Sequence, residues 1–248
     1  MTIDKPEDLV KLKRIGRVVA LTLKAMQQAA CAGITTAELD AVGERVMKEH
    51  GARSAPQLTY NFPGATCISI NDEAAHGIPG SRRLAPGDLV NVDVSAELDG
   101  YFADAALMVT IDPVDPTAHN LVMCAQRALK RAIAVSRAGS RLNEIGRVIE
   151  EEAQQSGFST LRDLGGHGVG RTIHEDPHNI ANYYNPNDKR ILKEGSVLTI
   201  EPFITTGATH THTMPDRWTL KTSDGSLSAQ VEHTLVITKG KPVLITAL

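Results

Sequence analysis

The sequence predicts an α+β domain assembled from two related halves, and three observations carry that prediction. Two pairs of amphipathic helical segments, one near the start and one past the middle, contain similar blocks that run from Ala-Gly to Gly. A strand-like segment ending in an acid follows each pair. Between them stands Asp99-Gly100, a strong two-residue hairpin signal flanked by alternating residues.

The first helix opens at Pro6, with apolar residues at Leu9, Leu12, Ile15, Val19, Leu23 and Met26. That is the spacing of one buried face with proline in the first turn. Thr35-Thr36-Ala37-Glu38 has capping-box spacing and marks the start of a second helix, which Gly51 ends. Ala118 to Arg137 and Leu142 to Gln155 read as another helix pair.

The block AGITTAELDAVGERVMKEHG begins at Ala32, and AGSRLNEIGRVIEEEAQQSG begins at Ala138; each is twenty residues long. Nearly the same offset relates LAPGDLVNVD, from Leu84 to Asp93, to LKEGSVLTIE, from Leu192 to Glu201. Chance similarity between amphipathic helices becomes a poor explanation once two blocks match in the same order. Each half is too small to bury its own sheet face, so the 248 residues are expected to form a single domain, with halves of roughly 1–110 and 111–248.

Composition narrows the function. Apolar residues make up 42% of the chain, enough for a sizeable core. With 26 Lys+Arg against 29 Asp+Glu the net charge is -3, and no basic block could track a phosphate backbone, so nucleic acid is not an expected partner. Cys31, Cys67 and Cys124 fall outside any CxxC pattern, which argues against a disulfide framework or a thiolate zinc site and suits a reducing cytoplasm. The first residues are charged where a secretory signal needs an apolar run, and no membrane-length apolar stretch occurs.

The chemistry lies in the acids. If Asp99-Gly100 forms the turn, Leu98 pairs with Tyr101 and Asp93 faces Ala106, leaving Asp104 as a diagonal neighbour of Asp93 at roughly 7 to 8 Å. Taken alone, Asn91, Asp93 and Ser95 read as the wet face of an antiparallel strand. Glu201 in TIEPF and Glu232 in SAQVEHTLVIT change that reading, because four acids in strand-like contexts would be costly to bury without compensation. A shared cation resolves the cost. Hard oxygen donors with one or two imidazoles suit Mn, Fe, Co or Zn, and bridging carboxylates can hold two such ions about 3.5 to 4 Å apart. Among the nine histidines, His76 in AAHGIP, with His167 and His174 in GGHGVGRTIHEDP, lie beside glycines or cluster closely. His210 and His212, in ATHTHTM, match an exposed strand or loop equally well and are set aside as ligands.

HGIP at His76, VNVDV through Asp93, DGYFADAA through Asp104, GGHGVGRTIHEDP, TIEPF at Glu201 and SAQVEHT at Glu232 together resemble methionine aminopeptidase, in the order and with the type I spacing of that family and over essentially the whole chain. The resemblance implies the pita-bread fold, in which two pseudo-symmetric halves flank a central antiparallel sheet. It implies an enzyme that hydrolyses the N-terminal methionine from nascent proteins and peptides when the second residue is small. The cofactors would be two divalent metal ions: Co, Mn, Fe, Zn or Ni. Asp93 would chelate one metal, Asp104 and Glu232 would bridge both, and His167 with Glu201 would complete the coordination of the second metal. Glu201 would also shuttle a proton, His174 would hydrogen-bond the carbonyl oxygen, and His76 would contact the backbone nitrogen beyond the scissile bond. Phe62, Cys67 and Trp218 would enclose the methionine side chain. Asn71 and Ser228 fall where the family binds a monovalent cation, a duty shared there with backbone carbonyls.

Ile173 stands where the family commonly has Phe, and Thr59 and Pro56 replace a frequent Tyr and Cys at the pocket rim. These departures bear on pocket shape and on tolerance for the second residue, while leaving the five metal positions intact. A proline-directed peptidase of the same fold would normally carry a further N-terminal domain. A creatinase-like, metal-free hydrolase would have no use for five ligands, and a non-catalytic binding module would show gaps among them. Only 26 residues separate His174 from Glu201, whereas type II enzymes carry a long insertion there. The expected protein is a cytoplasmic monomer that meets nascent N-termini, in transient contact with the ribosome, and has no membrane partner.

Overall fold

A computed structural model describes residues 1–247. Helix α1 (Pro6–Ala29) starts on its proline and buries Leu12, Ile15, Val19, Leu23 and Met26, as the spacing predicts. Helix α2 (Thr36–Glu49) opens with a reciprocal cap: Glu38 N–H donates to Thr35 Oγ1 at 3.1 Å, and Thr35 N–H donates to the Glu38 carboxylate at 2.8 Å. Strand β1 (Arg53–Ser54), helix α3 (Ala55–Tyr60) and strands β2 (Cys67–Ile70) and β3 (Glu73–Ala75) lead to the long hairpin of β4 (Leu89–Leu98) and β5 (Tyr101–Thr110). Asp99 and Gly100 both take positive φ, 54° and 77°, as a two-residue turn between right-twisted strands requires. Leu98 faces Tyr101, Asp93 faces Ala106, and Ser95 faces Asp104. Strands β1 and β2 pair with the other edge of β4.

The second half repeats the plan. Helices α4 (Pro116–Val135) and α5 (Asn143–Gln155) precede the short β6 (Ser159–Thr160), then β7 (Gly165–Gly168), β8 (Glu175–Ala181), β9 (Val197–Ile200) and β10 (Phe203–Thr205). Next come β11 (Thr211–Thr213), β12 (Leu220–Thr222), β13 (Ser228–Gln230), β14 (His233–Val236) and β15 (Val243–Leu244). Strands β15-β14-β9-β7-β8 form an antiparallel sheet of five, while β13-β10-β6 and β11-β12-β3 form smaller ones.

Pseudo-symmetry is written in the backbone bonds. Gly33 N–H donates to the carbonyl of Leu84, and Gly139 N–H to that of Leu192. Gly87 N–H donates to Ile111, and Gly195 N–H to Ile237. Thr35 bridges Arg83 just as Arg141 bridges Ile191. The helices cover one side of the sheets. Val90, Val92, Val94 and Ala96 of β4 join α1 and α2 in one apolar cluster, and Leu198, Ile200 and Leu235 join α4 and α5 in another. Because side chains alternate along a strand, Asn91, Asp93 and Ser95 must point to the opposite face.

Candidate active site

That opposite face is where the acids meet. Asp93 and Asp104 come from the hairpin, and Ser95 Oγ–H donates to Asp104 Oδ1 at 2.7 Å. Glu201 and Glu232 stand one residue beyond β9 and one before β14, just off the strands that the sequence pattern suggested for them. Glu232 N–H donates to the carbonyl of Ala106, which ties the second half to the hairpin. An amide relay, invisible in the sequence pattern, steadies the pair. Asn91 Nδ2 donates to Gln230 Oε1 at 2.7 Å, so Gln230 Nε2 faces Glu232 at 3.2 Å and Glu201 at 3.5 Å.

His167 enters from β7. Its neighbours Gly166 and Gly168 run against the carbonyls of Thr199 and Asp176, leaving no room for a Cβ. His167 Nδ1 lies 3.0 Å from the carbonyl of Gly168 and can only donate to it, so Nε2 carries a free lone pair. That nitrogen sits 3.6 Å from Glu201 and 3.8 Å from Asp104.

Among the described residues no Lys or Arg forms an ion pair with these four acids. Burial therefore pushes the carboxyls of Asp93, Glu201 and Glu232 well above the ordinary carboxylate range, with further upward push from neighbouring negative charge. Burial and nearby hydrogen bonds act against each other on Asp104, whose carboxyl is also raised. Loss of hydration lowers His167 to about 4, keeping it neutral at pH 7. Asp104, His167 and Glu232 each present a donor atom within 4.8 Å of the others, and Glu232 Oε1 is buried without a hydrogen-bond partner. Four carboxylates, one of them with an orphaned oxygen, and a neutral imidazole are the donor set of a divalent cation that prefers oxygen and nitrogen.

A cavity of about 510 Å³ opens onto the acids. Phe62 and Trp218 wall it edge to face, with ring centroids 5.2 Å apart, beside Cys67 and Ile173. Cys67 pairs in register with Asp93, and burial pushes its thiol up, away from reactivity. Pro56 lines this space, but Thr59 is exposed and does not; the rim ring is supplied instead by Tyr60, which the sequence pattern did not single out. His76, at φ 56°, and His174 stand at the mouth. Burial lowers His76. Burial and the neighbouring His167 lower His174 to about 4. The His174 ring lies 4.1 Å from that of His167, and its Nδ1 lies 2.7 Å from Tyr60 Oη.

Asn71 and Ser228 lie away from this cavity but next to each other. Ser228 N–H donates to the carbonyl of Asn71, whose side chain is already bonded to Asp88 and Leu89, while Ser228 Oγ is buried without a partner. His210 and His212 are exposed around β11, outside the cluster.

Comparison with known proteins agrees with this geometry. The model of metallopeptidase family M24 matches residues 10–239. Methionine aminopeptidase 2 of Bacillus subtilis is 46% identical over the full length of both chains. The crystal structure of methionine aminopeptidase from Thermotoga maritima superposes with a TM-score of 0.96 at 33% identity, again over all of both chains. Prolidase from Pyrococcus furiosus, at 24% identity and a TM-score of 0.79 over 66% of its own chain, shares the fold. The chain therefore belongs to metallopeptidase family M24 and, within it, to the methionine aminopeptidases.

Proposed function

We propose that the protein removes N-terminal methionine from nascent proteins and peptides by hydrolysis, as a single catalytic domain of the type I class, and prefers a small second residue. The carrying observation is the junction of a four-carboxylate, one-imidazole cluster, buried except for the half-buried Asp93, with an apolar pocket closed by Phe62 and Trp218. Asp93, Asp104, His167, Glu201 and Glu232 would hold two divalent ions drawn from Co, Mn, Fe, Zn or Ni, with Asp104 and Glu232 shared between them. Bound there, such ions supply Lewis acidity, which polarises a carbonyl and makes water nucleophilic at neutral pH.

The chain's own side chains orient the substrate and move the proton. Phe62, Cys67 and Trp218 receive the methionine side chain and exclude water from it. His174, neutral at pH 7, donates a hydrogen bond to the scissile carbonyl oxygen as negative charge grows there, a contribution of ~2.7 to 4 kcal/mol for donors of this kind. Glu201 accepts the proton of the attacking water and passes it to the leaving amine. His76 contacts the backbone nitrogen beyond the scissile bond, its approach set by the left-handed backbone ahead of Gly77. Asn71 and Ser228 would hold a monovalent cation, for which the unpartnered Ser228 hydroxyl is the supporting feature. Among the described residues no helix is long and apolar enough to cross a membrane. We place the protein in the cytoplasm as a monomer in transient contact with the ribosome.

A peptide panel varying the first two residues tests the reading. Met-Ala-Ser should be cleaved and Leu-Ala-Ser should not, and peptides with proline second should not be preferred over those with alanine. Chelation should abolish activity, and Mn, Fe or Co should restore it with two ions bound per chain. Proline-directed cleavage would overturn the specificity; turnover after complete chelation would overturn the metal assignment.

A further inference from the structure

Helix α3 stops at Tyr60 because Asn61 turns left-handed, at φ 56° and ψ 36°, with its N–H closing back on the carbonyl of Gln57. The reversal drives Phe62 inward, to 4% exposure, and leaves Tyr60 at the rim with 44% of its surface in solvent. A ring so exposed adds little to the core, so its hydroxyl is the group to account for. That hydroxyl lies 2.7 Å from His174 Nδ1, with the rings 5.7 Å apart and tilted by 49°. The other His174 anchors are a bond from Thr172 Oγ1 to its backbone carbonyl and the face of His167, and neither chooses which ring nitrogen carries the proton.

We propose that Tyr60 is a positioning residue for the hydrolysis: its phenol donates to His174 Nδ1 and so holds His174 in the tautomer that carries its proton on Nε2. The inference rests on the assignment of His174 as the donor to the scissile carbonyl. A phenol is a better donor than acceptor, and the bare nitrogen of an imidazole is a strong acceptor, so O–H···N is the favoured direction. With the proton on Nδ1 instead, Nε2 would turn a lone pair toward the carbonyl oxygen and repel it as charge develops. Tyr60 thereby makes His174 ready to donate before substrate arrives.

Tyr60→Phe keeps the ring and removes the hydroxyl. We expect kcat to fall about tenfold, with KM changed by less than about twofold, because the lost bond acts on the transition state rather than on substrate capture. Metal stoichiometry should not change. In a His174→Ala background the same substitution should cost nothing further, since the two side chains act as one unit. Long-range proton–nitrogen NMR of histidine-labelled, metal-free protein should show His174 protonated on Nε2 alone, and a mixture of tautomers in Tyr60→Phe. Wild-type kcat in Tyr60→Phe, an equal loss in the His174→Ala background, or protonation of His174 on Nδ1 in the wild type would each overturn the proposal. A fully active His174→Ala would overturn the role of His174 and the kinetic half with it, while the NMR pattern, which needs no turnover, reports separately whether Tyr60 sets the tautomer.

Discussion

At the scale of single residues, Asp104 is the acid whose charge bears on each of the other three in the cluster. Its carboxylate takes the Ser95 hydroxyl, faces His167, and adds to the negative charge felt by Asp93, Glu201 and Glu232. Asp104→Asn keeps its shape and removes a charge that both ions would share. Metal affinity and turnover should therefore fall together, by more than the roughly 10- to 100-fold that follows loss of an outer-shell partner. Calorimetric metal titration beside steady-state kinetics decides this, and unchanged turnover would remove Asp104 from the metal site. Asp93 and Asp104 were legible in the sequence because a two-residue turn fixes register and register fixes which face each acid occupies. Tyr60 was not, because its place depends on one left-handed residue, Asn61, that reverses the chain after a six-residue helix. The Asn91–Gln230 relay was hidden for a similar reason: the two partners lie 139 positions apart.

Among the elements, β7 has little room for change. Gly166 lies against the Thr199 carbonyl, and a methyl group there must push β7 away from β9 and carry His167 with it. Gly166→Ala should cost about 1 to 3 kcal/mol as an overpacked position and weaken metal binding as well. Thermal unfolding and metal titration of the variant check both effects; an unchanged Tm would show that the strand can yield. Helix ends show how far local patterning carries. Apolar spacing placed the third long helix at Ala118 to Arg137, but it runs from Pro116 to Val135, because Asp115 caps it by accepting from Thr117 N–H at 2.7 Å. Spacing reports the buried face, whereas caps set the boundary, so a reading based on the former slides by about a turn fraction. Matched blocks in the two halves were more informative than either helix alone. They placed an acid at Asp93 and another at Glu201, and the fold brings both to one cavity.

For the whole molecule, the site should couple metal binding to stability in a way that depends on pH. In the unfolded chain Asp and Glu release their protons near 3.8 and 4.5; in the fold, burial holds Asp93, Glu201 and Glu232 protonated well above those values. At these three sites the metal-free native state thus binds more protons than the unfolded chain, and their contribution to stability falls as pH rises above about 4. His167 and His174 act in the opposite direction, since both ordinarily titrate near 6.5 and are lowered to about 4 in the fold. Their contribution grows with pH between those two values and is constant above 6.5, where they are neutral in both states. Above 6.5 the histidine contribution no longer changes, and any proton that the buried acids hold solely in the native state costs about 1.4 kcal/mol per pH unit. A divalent ion replaces those protons with positive charge and removes the penalty. We therefore expect the Tm of metal-free protein to drop between pH 6.5 and about 8, and the rise in Tm on adding Mn to be larger at the higher pH. Differential scanning calorimetry with and without the ion measures both. Parallel Tm profiles across that range would mean that the four carboxylates do not share one buried site with the cation.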